Sequence, residues 1–378
     1  MDRAKDDGAL RVMICGGGTG GHIFPAIAIA DAVRSLRPDA GILFVGASDR
    51  MEMQRVPAAG YAIEGLPICG FDRRRLLRNV SVLVKIWRSQ RLAGRIIRRF
   101  APTVAVGVGG YASGPALNKC AAMGIPFLIQ EQNSYAGVTN RLLARKASRI
   151  CVAYEGMERF FPAEKLLLTG NPVRQSLAEG RLSREAAARS LGLDAGKKTV
   201  LLVGGSLGAR TLNESVLQHL DLIAGGDVQV VWQTGKYYYD AVVERLSRHG
   251  VMPQLHVSAF ISDMAAAYAA ADLVVSRAGA GSISELCLVG KPAILVPSPN
   301  VAEDHQTKNA LALTARDAAV VVTDAEAPAT LLPTALALVA DDARLALLSR
   351  NIKLLGKRDA ADVIAREVLS LAGCASKG

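Results

Sequence analysis

Leu10-Arg11-Val12-Met13-Ile14-Cys15-Gly16-Gly17-Gly18-Thr19-Gly20-Gly21-His22-Ile23-Phe24-Pro25 decides the fold. An apolar run ends in five glycines, and apolar residues then recur at helical spacing through Ala26, Ile29, Ala30, Val33 and Leu36. The pattern predicts strand, tight turn, helix. Glycines let backbone approach a ligand closely, and a helix N-terminus offers unpaired N–H groups and partial positive charge to an anion. Thr19 and His22 are the polar side chains in this loop, so it reads as an anion-docking turn with an imidazole beside it.

The same alternation continues outward. Gly41–Gly46, Tyr61–Pro67, Thr103–Gly107, Pro126–Gln130, Arg149–Ala153 and Leu166–Leu168 read as buried strands. Gly170-Asn171-Pro172 breaks the series and marks the boundary between two domains, 1–171 and 172–356. A helix over 184–191 then leads to Thr199–Val203 and a second glycine turn, Gly204-Gly205-Ser206-Leu207-Gly208. Strands at 228–233, 255–258, 272–276 and 292–296 follow. Two doubly wound, mostly parallel α/β sheets in succession fit this order.

The chain has 378 residues, half of them hydrophobic, and a net charge of +11. Ten cations and one acid, Asp72, lie within 71–100, so nine of those eleven charges belong to one segment. Its cations alternate with Leu, Ile, Val and Trp87 at helical spacing. That suits an anionic membrane surface better than nucleic acid, for which no recognition motif is present. An ordinary amphipathic helix with a solvated cationic face is the simpler alternative. No apolar run is long enough to span a bilayer, and the N-terminus lacks a signal-peptide core. Six scattered cysteines with no C-x-x-C pair read as buried thiols of a cytosolic protein.

Gly16, Gly18 and Gly21 satisfy G-x-G-x-x-G, which raises a nicotinamide dinucleotide. That class wants an acid closing the second strand, where this chain has Gly46-Ala47-Ser48. Gly107-Val108-Gly109-Gly110-Tyr111 is a further glycine turn after a strand, and a pair of such loops in one sheet favours a phosphate-rich ligand. Ser206 reads as a phosphate contact or as a helix cap. Ser282 with Glu285 three residues on reads first as a capping box. Residues 303–309 read as a helix start with acids in its first turn. No cluster of metal-ligand spacing appears, and neither a metal nor a cofactor is expected.

Taken together, six motifs in order resemble the bacterial undecaprenyldiphospho-muramoylpentapeptide β-N-acetylglucosaminyltransferases, the MurG family of GT-B glycosyltransferases (family 28). They are Gly16–Pro25, Gly110–Pro115, Glu131–Ser134, Thr169–Arg174, Gly204–Arg210 and Ser276–Ala280. The resemblance implies a GT-B fold, two Rossmann-like α/β domains facing a cleft, with a C-terminal helix (about 357–378) packed back on the first. It implies inverting transfer of N-acetylglucosamine from UDP-N-acetylglucosamine to the C4 hydroxyl of lipid I, giving lipid II for peptidoglycan. His22 would be the general base. Thr19, Gly20, Gly21, His22, Asn133, Arg174, Ser206, Ile261, Met264, Ala280, Glu285, His305 and Gln306 would meet UDP-N-acetylglucosamine. Glu285 would take the ribose hydroxyls and the Ile261 backbone the uracil edge. Gly17, Gly18, Gly109, Gly110, Tyr111 and Ser113 would meet the acceptor's diphosphate. A peripheral place on the cytoplasmic face of the inner membrane is implied. Leu207 stands where many members carry Gln, and His305-Gln306 where many carry Gln-Gln. Another GT-B transferase with a glycolipid acceptor, and a non-catalytic nucleotide-sugar-binding partner of a membrane complex, are the competing readings.

Overall fold

The computed structural model describes residues 9–68, 79–173, 177, 182–205 and 207–373. The chain divides into two compact units, Met1–Arg174 with Lys357–Gly378, and Gln175–Gly356.

The first unit holds a seven-stranded parallel sheet. Its strands are β1 (Arg11–Cys15), β2 (Gly41–Ala47), β3 (Ala62–Leu66), β4 (Val104–Gly107), β5 (Phe127–Glu131), β6 (Arg149–Val152) and β7 (Leu166–Leu168), in the order β3-β2-β1-β4-β5-β6-β7. Side chains alternate across a strand, so each strand feeds two cores. Met13, Cys15, Val45, Ala105 and Ile129 pack with Ala93, Ile96 and Ile97 of helix Asn79–Phe100 and with Leu117 and Cys120 of helix Ser113–Ala122. Val12, Ile14, Phe44, Val106 and Leu128 pack on the other face. Their partners are Ile23, Ile29 and Val33 of helix Gly20–Leu36, and Ile364, Ala365 and Val368 of helix Ala360–Leu371. Burial on both faces explains why the central strands β1 and β4 are near-continuous apolar runs. The last helix of the chain is thus part of the first core, and Arg149 pairs with its Glu367 at 3.1 Å.

The second unit holds β8 (Thr199–Val203), β9 (Gln229–Gln233), β10 (Leu255–Ser258), β11 (Leu273–Ser276), β12 (Ala293–Leu295) and β13 (Val320–Val321), parallel in the order β10-β9-β8-β11-β12-β13. Val200, Leu202, Trp232, Val275 and Ile294 pack against helices Arg210–Leu217 and Ala327–Val339. β13 has no counterpart among the strands expected from the sequence, because two residues are too few for any periodicity to register.

In both sheets the strand order reverses beside the first strand, between β1 and β4 and between β8 and β11. Loops leaving the carboxyl ends of strands diverge at such a switch point and leave a crevice for ligand. The glycine turns occupy these places. Among the described residues no helix is long and apolar enough to cross a membrane.

Candidate functional site

In the first unit, the turn after β1 rests against the turn after β4. Gly16, Gly17 and Gly18 have φ of +149°, +143° and +92°, and Gly109 and Gly110 have +89° and +83°. A Cβ on Gly110 would fall 2.3 Å from the Gly17 carbonyl oxygen, and one on Gly16 would fall 2.6 Å from the Gly109 oxygen. Ser113 closes the seam. Its buried hydroxyl lies 2.7 Å from the Cys15 oxygen and 2.8 Å from the Gly109 oxygen, sharing its one proton between them.

Glu52, 1% exposed, fixes the other side of the loop. One carboxylate oxygen accepts the Gly18 N–H at 2.9 Å and the other accepts the Ala47 N–H at 3.0 Å. The Gly18 N–H and the Ser113 hydroxyl, both belonging to residues expected at the acceptor's diphosphate, hold the turn in shape. Glu52 lies five residues beyond the end of β2, outside the position where a dinucleotide motif places its acid. The only signal was an acidic residue opening the next helix, Glu52–Ala58.

Thr19 is the N-cap of helix Gly20–Leu36, so Gly20 and Gly21 are its first two residues and not turn residues. Thr19 Oγ1 lies 3.1 Å from His22 Nδ1. A Cβ on Gly109 would fall 3.0 Å from His22 Cδ2 and Nε2, so the imidazole edge lies against that glycine. Tyr111 is half exposed next to it. Asn133 is oriented by buried Glu131, which accepts its N–H at 3.1 Å and its amide at 3.3 Å, the Gly137 N–H at 3.0 Å and the Asn140 amide at 2.8 Å. Burial pushes the Glu131 carboxyl above its ordinary value while these four donors pull the other way. Asn171, in the expected boundary, is tied into the same buried group through the Gln130 amide at 2.9 Å and the Gln132 oxygen at 3.0 Å.

In the second unit, Gly205 and Gly208 have φ of +87° and +88°. The turn they form enters helix Arg210–Leu217, and Leu207 is 74% exposed. Arg174 and Ser206 lie outside the described residues. Ile261 is buried and Met264 opens helix Met264–Ala270, capped by Asp263, which accepts the Ala266 N–H.

The capping-box reading of Ser282 and Glu285 is overturned. Helix Ala280–Val289 has Gly279 as its N-cap, so Ser282 already lies inside it. Glu285 instead accepts the Tyr268 hydroxyl at 3.0 Å. Ala280 is the first helical residue, and Cβ atoms placed on Gly279 or Gly281 would meet open space.

The acids at 303–304 precede helix His305–Thr314 and do not enter its first turn. Glu303 and Asp304 take φ of +58° and +52°, a strained pair beside His305 and Gln306. Such strain gathers at ligand sites. Gln306 Oε1 accepts the Ser298 N–H at 2.9 Å. Arg277 is used structurally: it pairs with Asp324 and donates to Thr211 Oγ1 at 2.9 Å and Val296 O at 3.2 Å, tying the start of helix Arg210–Leu217 to the segments after β12 and β13.

Cys15, Cys120, Cys151 and Cys287 are buried free thiols, and burial lifts Cys120, Cys151 and Cys287 to about 12, which keeps them protonated and inert. Cys69 and Cys374 lie outside the described residues. Among the described residues no group of three His, Cys, Asp or Glu is placed to hold a metal.

Residues 12–152 match the glycosyltransferase family 28 N-terminal domain, and residues 199–364 match the family 28 C-terminal domain. The chain is 64% identical over 365 residues to a protein of Bacteroides fragilis, covering 96% of each. That relative is the UDP-N-acetylglucosamine--N-acetylmuramyl-(pentapeptide) pyrophosphoryl-undecaprenol N-acetylglucosamine transferase. The Bacteroides thetaiotaomicron protein of the same name is 63% identical over 96% of this chain and 98% of its own. Among solved structures, MurG of Acinetobacter baumannii superposes with a TM-score of 0.76 at 27% identity, over 96% of this chain and 99% of that one.

Proposed function

The chain belongs to glycosyltransferase family 28, and we propose from that premise how its two GT-B units divide one reaction. It is a glycosyltransferase that moves N-acetylglucosamine from UDP-N-acetylglucosamine to the N-acetylmuramyl-pentapeptide carried on pyrophosphoryl-undecaprenol, forming lipid II. The observation that carries this is the 64% identity spanning 96% of both chains.

The first unit takes the acceptor and the second the donor. The acceptor's C4 oxygen bonds to the anomeric carbon, the bond from that carbon to the diphosphate breaks, and UDP departs, inverting the configuration. His22 removes the C4 proton. Its support is position: the imidazole stands on the first turn of helix Gly20–Leu36, oriented through Nδ1 by Thr19. With Nδ1–H donating to Thr19 Oγ1, Nε2 is the basic nitrogen. Asn133, Gly20 and Gly21 line the same end. Gly17, Gly18, Gly109, Gly110, Tyr111 and Ser113 face the acceptor's diphosphate. Charge leaving on UDP meets the helix start after Gly204–Gly208, with Ser206 and Arg174. Glu285 takes the ribose hydroxyls, the Ile261 backbone takes the base, and Met264, Ala280, His305 and Gln306 complete the donor site.

Gly170-Asn171-Pro172 is the hinge between the domains, and the enzyme works peripherally at the cytoplasmic face of the inner membrane. The support for membrane attachment is helix Asn79–Phe100. Lys85, Arg88 and Arg91 are exposed there beside Val84 and Trp87, which are 52% and 57% exposed, and Arg91 stacks 4.2 Å over the indole. Cations beside exposed apolar side chains suit an anionic bilayer surface.

The test is UDP release on mixing the protein with UDP-N-acetylglucosamine and the lipid-linked muramyl acceptor. Release with that acceptor and not with diacylglycerol is expected. Release only with diacylglycerol favours the glycolipid transferase, and release with neither removes the assignment.

A further inference from the structure

β9 lies between β8 and β10 in the second sheet. Its last residue, Gln233, stands level with Val203 on one side and Ser258 on the other. Both neighbouring strands end there in loops the donor reading uses: the Gly204–Gly208 turn after β8, and the segment running to Ile261 after β10. Gln233 is 2% exposed and its side chain spans the two. Nε2 donates to the Gly205 oxygen at 3.0 Å, while Oε1 accepts the Ile261 N–H at 2.8 Å. A side-chain amide carries a donor and an acceptor on one rigid plane, which suits it to bridge two backbone groups in this way.

The surroundings leave both loops little room to settle elsewhere. The Gly205 oxygen also accepts the Gly208 N–H at 3.1 Å, which closes the turn. A Cβ on Gly235, the second residue after β9, would fall 2.1 Å from Gly208 N. Thr234 N–H donates to the Ser258 oxygen at 3.0 Å, and the Asn213 amide donates to the Thr234 oxygen at 3.0 Å. The three strand ends are therefore stitched side by side, and Gln233 is the stitch that touches both ligand-facing loops.

We propose that Gln233 is a positioning residue which fixes the spacing between the diphosphate turn and the base-reading loop, so that a uridine diphosphate meets both already in register. The inference rests on the donor reading given above. A nucleotide that spans the two loops gains from having their separation set before it binds, because ordering them is otherwise charged against affinity.

The experiment uses the full chain and two ligands, UDP and uridine, titrated calorimetrically into wild type, Gln233→Met and Gln233→Glu. Gln233→Met is close in length and bonds neither loop. It is expected to bind UDP about tenfold more weakly or worse, since both backbone groups lose a buried partner. Its KM for UDP-N-acetylglucosamine should rise in step while kcat at saturating donor stays within about twofold. Gln233→Glu keeps the acceptor for Ile261 N–H and loses the donor to Gly205, so uridine binding should fall little while the advantage of UDP over uridine shrinks. A residue that merely stabilises the sheet would lower the melting temperature and leave that ratio alone. Unchanged UDP affinity in both variants overturns the clamp and spares the donor reading. If wild type fails to bind UDP, the donor reading falls and the clamp with it. Should neither variant fold, hydrogen exchange on ligand-free wild type decides: a protected Ile261 amide supports the bond, and rapid exchange there overturns it.

Discussion

Replacing Glu52 tests whether the glycine turn is held by one buried carboxylate. Its two oxygens each take a backbone N–H, from Gly18 at 2.9 Å and Ala47 at 3.0 Å, in a pocket where Glu52 is 1% exposed. Glu52→Gln keeps the shape but has a single acceptor, so one donor faces an N–H₂ group. Leaving one buried donor unpaired costs about 1–3 kcal/mol, and converting the other bond from charged to neutral loses about 1 kcal/mol more. Glu52→Gln should therefore destabilise by about 2–4 kcal/mol and Glu52→Ala, which orphans both donors, by about 2–6 kcal/mol. Both are large against a typical total of about 5–15 kcal/mol. Urea titration reads this as a lower midpoint at unchanged slope. Where the variant is still folded, KM for the lipid acceptor should rise, because Gly18 leads directly into Thr19 and His22, while UDP affinity holds. The same carboxylate explains two glycines: a Cβ on Gly17 would fall 2.3 Å from Glu52 Oε1, and one on Gly46 would fall 2.6 Å from its Cγ. If Glu52→Gln lies within about 0.5 kcal/mol of wild type, the range of ordinary surface changes, the carboxylate is not what holds the turn.

Three further outcomes follow from the site. His22→Ala should lose about 10²–10⁴-fold in turnover and keep most of its UDP affinity, and a variant turning over normally removes the general-base role. Tyr268→Phe takes away the hydroxyl that Glu285 accepts at 3.0 Å. KM for UDP-N-acetylglucosamine should then rise about threefold to tenfold at unchanged kcat, and an equal fall in kcat would place Glu285 in the chemical step instead. Vesicle sedimentation should show binding to anionic lipid that high salt reverses, and reversal of charge at Lys85, Arg88 and Arg91 should abolish it; equal binding to neutral vesicles counts against a surface charge role.

Strands covered on both faces are legible because burial on each side forces apolar runs, and among the described strands the two-residue β13 is too short to carry that signal. Local rules failed where two of them compete. Ser282 and Glu285 have the spacing of a capping box, yet Gly279 and Gly281 let the helix begin three residues earlier, which turns Glu285 toward Tyr268. The acids at 303–304 have the composition of a first helical turn, but both take left-handed backbone and stand outside it.

The glycine spacing after β1 shows a deeper limit. G-x-G-x-x-G describes a turn that brings N–H groups to one point, and it is silent on what those groups face. Here the answer comes from Glu52, whose carboxylate meets Gly18 across 34 residues of chain. Gln233 is the same case in the second unit, reaching 28 residues in each direction. Both are buried polar residues whose partners are backbone groups, so neither periodicity nor motif spacing carries their signal. Residues that touch a ligand recur in motifs because the ligand's chemistry dictates them. Residues that hold those motifs answer only to the backbone around them, and the cost of an unpaired buried N–H makes them as binding on the fold as the glycines they secure.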